Sequence, residues 1–150
     1  MKKDKKKQLI AVFILLMFGG STLAFAAMSI FPSETKQKYI FDEPLIESDE
    51  AFFFKQNIIV ARVYYQEPTD TIVMLNDMIN ELNQKMVLER IQIEAYPEIY
   101  EYMKDHFESD ELPMILLRGQ TEIYLNGEQT HDDLLEDICS LYFEPIEECL

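Results

Sequence analysis

Two cysteines, Cys139 and Cys149, are the only thiols of the 150-residue chain. An even count outside the cytoplasm suits a disulfide, and a reversal at Glu144-Pro145 lets two residues ten apart meet. The alternative is a reactive dithiol. Against it, Glu136, Asp137, Glu144, Glu147 and Glu148 surround the pair and raise a thiol pKa, whereas the nucleophile is the thiolate. His106 and His131 lack ligand spacing with either cysteine, so neither a metal nor a cofactor is expected. A second polar group is Glu67-Pro68-Thr69-Asp70. Its carboxylates suit holding a cation or moving a proton, but no neighbour supplies a third ligand or a nucleophile. The same residues also make a turn and a helix cap, so no catalytic residue is assigned.

The elements that must position these groups follow from hydrophobic period. Ile58 to Tyr65 is nearly continuous in apolar, β-branched and aromatic residues, the pattern of a strand covered on both faces. After the corner Gln66 to Thr71 the period becomes helical, with Ile72, Leu75, Met78, Ile79, Leu82 and Met86 on one side. Met86 to Glu94 then alternates as a half-buried strand, with Val87, Ile91 and Ile93 inward. Pro97 opens a helix that turns Ile99, Tyr102, Met103 and Phe107 inward. Pro113 to Leu117 and Thr121 to Leu125 form a hairpin around Arg118-Gly119-Gln120. Thr130 or His131 caps a last helix carrying Leu134, Leu135, Ile138, Leu141 and Tyr142. Ala51 to Phe54 fits either a helical turn or an edge strand. Tyr96, Tyr100 and Tyr124 are expected to be partly exposed and available to a binding surface.

The first 31 residues are an appendage. Lys2, Lys3, Lys5, Lys6 and Lys7 precede Leu9 to Phe31, which carries no charge and is long enough to cross a bilayer. Ala24-Phe25-Ala26 offers a cleavage site, so a signal peptide is the alternative to an anchor. Both readings keep the lysines inside and place the rest outside the cytoplasm, either on a single-pass anchor or secreted. Residues 32–50 read as a tether that begins to join the domain at Tyr39-Ile40-Phe41, and 51–150 as the domain. From Pro32 onward eight Lys and Arg face 27 Asp and Glu, a net charge of −19. Such a surface repels nucleic acid and anionic lipid, and suits a solvated face with no specific ligand, a basic partner or a salty environment.

Three local signatures carry a resemblance. The first is the strand, corner and helix from Asn57 to Asn83. The second is Ile91-Gln92-Ile93-Glu94-Ala95-Tyr96-Pro97. The third is Leu112-Pro113-Met114-Ile115-Leu116-Leu117, followed by a hairpin and the turn Asn126-Gly127-Glu128. In this order they resemble the thioredoxin-like family over about Asn57 to Phe143. The resemblance implies an α/β fold ordered strand, helix, strand, helix, strand, strand, helix around a mixed four-stranded sheet, with Pro113 in the family's cis-proline loop. Redox-active members carry Cys-x-x-Cys at the corner, where the helix dipole stabilises a thiolate. Glu67 to Thr71 holds no cysteine, and Ile58 to Tyr65 has no acid, only Arg62. The expectation is a non-redox, non-enzymatic module that binds, scaffolds or chaperones an extracytoplasmic protein. Its groove would be formed by Glu67, Pro68, Thr69, Asp70, Leu112 and Pro113, with the backbone beside Pro113 pairing to an extended segment. The alternative is a thiol–disulfide oxidoreductase or accessory redox protein using Cys139 and Cys149.

Overall fold

Apolar side chains on both faces force Ile58 to Tyr65 into the interior, and Ile59–Tyr65 is the central strand, β2. The computed structural model describes residues 37–150, of which Lys38–Leu150 form one compact unit. Residues 1–31, expected to be an anchor or a signal peptide, and the start of the expected tether lie outside the described residues. Among the described residues no helix is long and apolar enough to cross a membrane.

The elements run β1 (Ile40–Phe41), α1 (Glu47–Lys55), β2, α2 (Asp70–Glu81), β3 (Met86–Gln92), α3 (Pro97–Lys104), β4 (Met114–Arg118), β5 (Glu122–Asn126) and α4 (His131–Ser140), with a final 3-10 turn at Glu147–Cys149. The sheet order is β1-β3-β2-β4-β5. β1, β3 and β2 are parallel, while β4 runs antiparallel to β2, and β5 to β4. The sheet therefore has five strands rather than the expected four. The added strand is Ile40–Phe41, whose partners Leu88 and Glu89 lie on β3. Two residues are too short to show a period, so this strand is hidden within the stretch read as a tether.

Alternation along β2 divides the side chains between two faces. Ile59, Ala61 and Val63 meet Leu75, Met78 and Ile79 of α2 and Leu134 and Ile138 of α4 in the main core. Burying each such aliphatic side chain contributes about 1.5–3 kcal/mol. The opposite face holds two separate clusters. Tyr64, Ile91, Met114 and Leu116 lie under α3, and Val60 and Val87 pack with Phe53 of α1. Arg62, between Val60 and Tyr64 in the chain, occupies the gap between them.

Of the two readings open for Ala51 to Phe54, the helical one holds: these residues belong to α1, where only Glu50 and Phe53 are buried, so its period is faint. Other expectations need correction. Met86 starts β3 rather than ending α2, because Asn83 and Gln84 turn the chain with φ of 49° and 62°. β3 is not half-wet: Leu88 and Glu89 are both fully buried. A strand flanked by β1 and β2 and covered by helices above and below has no solvent side. Tyr102 points outward, 73% exposed.

Candidate functional site

β2 ends at the carboxyl edge of the sheet, where α/β folds place their sites. Register brings the expected groove residues to this edge. Tyr65 lies beside Gln92 and Tyr64 beside Met114, so the corner 66–70 and the loop before β4 share one end of the sheet. Glu67, Pro68 and Asp70 are exposed, Thr69 and Leu112 are half-buried, and Pro113 is buried. The Leu112-Pro113 peptide is cis.

The helix cap differs from the simple one expected. Thr69 occupies the N-cap position of α2 with extended backbone, but its side chain makes no capping hydrogen bond. The cap comes instead from Glu128, in the β5–α4 connection. Thr71 donates its N–H to Glu128 Oε2 at 3.2 Å, and its hydroxyl donates to the same oxygen. Gln129 N–H donates to Thr71 Oγ1 at 3.2 Å, which satisfies the fully buried Thr71. The positive end of the α2 dipole is thus occupied by a carboxylate of the same chain.

The connection that delivers Glu128 is fixed by Gly127. Its φ is 72°, and a Cβ there would lie 2.8 Å from the Glu111 carboxylate. Gly127 N–H donates to the Pro113 carbonyl at 2.9 Å, joining this turn to the cis-proline loop. Gln129 Nε2 braces the turn through the carbonyls of Asn126 (2.8 Å) and Gly127 (3.2 Å). No described hydrogen bond uses the Leu112 N–H or C=O. Glu67, Asp70, Glu94 and Glu111 surround this end, and none is in an ion pair among the described residues. Gln66 Nε2 reaches Glu94 at 3.4 Å. Acidic groups and a half-open backbone at this end offer groups for binding. Among the described residues no cluster of three metal-ligating side chains occurs.

Cys139 and Cys149 are joined in a disulfide, with Cα atoms 5.6 Å apart. It ties the 3-10 turn at Glu147–Cys149 to α4, with Asp132, Glu136 and Glu148 lining the adjacent hollow. Asp137 in the same helix is raised above the usual carboxylate range, first by burial and then by Glu136 and Asp133.

A second polar constellation went unread in the sequence. Arg62 donates from Nε to Glu89 at 2.5 Å and from Nη2 to Glu50 at 2.9 Å, while Arg118 Nη1 holds the other Glu50 oxygen at 2.5 Å. Burial pushes the Glu89 carboxyl up, opposed by Arg62. Burial also disfavours the Arg62 charge, but the hydrogen bond and charge of Glu89 outweigh it and keep Arg62 protonated. The available signals were Arg62 alone in an apolar strand and Glu89 in phase with the inward Val87 and Ile91.

Parallel β2 and β3 joined through α2, an antiparallel β4–β5 hairpin, helices on both faces and a cis proline opposite the corner define a thioredoxin-like fold. No family model and no curated protein matches the chain. Among solved structures it is similar to chloroplastic thioredoxin z, at 11% identity over 70% of this chain and 96% of that one, with a TM-score of 0.53. It is also similar to a mutant thioredoxin from Halobacterium salinarum, at 15% identity over 73% and 94% of the two chains, with a TM-score of 0.49. At 11% identity the likeness to thioredoxin z is one of fold.

Proposed function

We propose that the chain is an extracytoplasmic, thioredoxin-like binding module that recognises extended, basic segments of other proteins at the corner beside Leu112-Pro113. The observation that carries this reading is the Leu112 backbone, whose N–H and C=O enter no described hydrogen bond next to a cis proline. A partner strand pairing there gains main-chain hydrogen bonds, and Glu67 and Asp70 supply charge for its Lys or Arg side chains. Glu128, held at the α2 N-terminus, adds a further carboxylate to this acidic end. Residues 1–31 serve in this reading as a single-pass membrane anchor, or as a signal peptide that releases the domain.

The test is binding of an unstructured Lys- and Arg-rich peptide to the full-length chain, measured by calorimetry at low and moderate salt. Glu67→Gln with Asp70→Asn is expected to weaken it about tenfold, since both acids are exposed and two exposed ion pairs are together worth roughly 0.4–2 kcal/mol. Unchanged affinity in that variant would remove the corner from the site.

A further inference from the structure

A cavity of about 400 Å³ opens between α1 and α3, on the sheet face opposite the main core. None of the corner or cis-proline residues lines it. The chain has three arginines, and two of them, Arg62 and Arg118, line this cleft. Both are held in place: Glu50 bridges the pair, Glu89 takes Arg62 Nε, and Glu122 takes Arg118 Nε at 2.9 Å. Each guanidinium keeps one terminal nitrogen, Arg62 Nη1 and Arg118 Nη2, outside the described hydrogen bonds. The buried Tyr64 hydroxyl lies beside the Arg62 guanidinium, and Glu89 Oε1 accepts no hydrogen bond from a described side chain. A buried ionic network is seldom the most stabilising filling for such a gap, since apolar side chains often serve at least as well. What it supplies is two guanidiniums fixed in position.

Charge decides the ligand. Of the acids, Glu47 and Glu122 line the cleft with the two arginines, so a simple anion would meet those carboxylates and a simple cation the guanidiniums. A molecule carrying both charges suits both sets. Its carboxylate would take the spare guanidinium nitrogens, and its ammonium would take Glu47, which is exposed and in no described ion pair. The walls receive an apolar or flat body: His106 stacks on Tyr124 with centroids 6.1 Å apart and planes 17° from parallel, and Leu116 and Met103 lie alongside. We propose that this cleft binds a zwitterionic small molecule of the amino-acid class, with an aromatic or apolar side chain.

The probe is L-phenylalanine, titrated into the full-length chain while the guanidinium Nε–H signals of Arg62 and Arg118 are followed by NMR. N-acetylphenylalanine, which lacks the ammonium, and phenylalanine amide, which lacks the carboxylate, serve as controls. The expected result is saturable binding that shifts both arginine signals, about tenfold weaker for each blocked analogue. Glu47→Gln, a change at an exposed position that spares the fold, is expected to weaken L-phenylalanine and leave N-acetylphenylalanine unchanged. The proposal is overturned if neither arginine signal saturates, if the three probes bind alike, or if Glu47→Gln changes nothing.

Discussion

Replacing Glu128 by Ala tests the capping of α2 across the fold. The carboxylate accepts two hydrogen bonds from Thr71, a residue with no exposed surface, so no water replaces it easily. A hydrogen bond to a charged acceptor is worth about 1.5–3 kcal/mol, and the favourable placement of an acid at a helix N-terminus about 0.3–1 kcal/mol. The two overlap, so the expected loss is about 2–3 kcal/mol. At roughly 4 °C per kcal/mol for a domain of this size, the melting midpoint should fall by about 8–12 °C. Urea denaturation and thermal melts of Glu128→Ala, Glu128→Gln, Thr71→Val and the double variant Glu128→Ala/Thr71→Val form the assay. Glu128→Gln keeps an acceptor but no charge and should lose about half as much. The double variant should lose clearly less than the sum of the singles, with a coupling of about 1 kcal/mol or more. A loss under about 0.5 kcal/mol for Glu128→Ala, or strict additivity, would refute the cap.

Other consequences follow from the charged and covalent contacts. Arg62→Ala leaves Glu89 buried without its cation and should cost about 3–5 kcal/mol in urea denaturation, while Arg62→Met with Glu89→Leu and Glu50→Gln should recover most of it. Glu89 is raised above its ordinary 4.5 in the folded state, so its contribution is fully present below that pH and is lost as pH rises through the higher folded value; Glu89→Gln should flatten stability against pH in that window. His131 is raised above 6.5 chiefly by Glu81, then Asp132, so its small contribution should be present below 6.5, fade as pH rises through the higher folded value, and vanish in His131→Gln. Reducing the Cys139–Cys149 bridge should lower stability by about 2–3 kcal/mol, as expected for a loop of this length. Insulin reduction should stay at background for both the wild type and Cys149→Ser.

Much of the fold was legible because its strongest elements change period abruptly. β2, α2 and the β4–β5 hairpin announce themselves by continuous apolar residues, by spacing of three and four, and by turn residues at Gly119 and Gly127. β1 and α1 did not, since one is two residues long and the other buries only Glu50 and Phe53. Their places are set by pairing and burial that no local pattern encodes. The same holds at the site. Glu67 to Asp70 and Leu112-Pro113 could be brought together from the resemblance, but the true cap, Glu128, lies 57 residues from Thr71. The Arg62 network likewise joins residues on α1, β2, β3 and β4. Single charges in apolar strands were the only trace it left.

Site-specific crosslinking tests the binding reading most directly. A photoreactive side chain at position 112 of the full-length chain, irradiated in native membranes and mapped by mass spectrometry, should attach to one extended, Lys- or Arg-rich segment of an extracytoplasmic protein. The adduct should disappear when Glu67→Gln and Asp70→Asn are combined. Adducts scattered over unrelated proteins, or one adduct indifferent to those substitutions, would contradict the account.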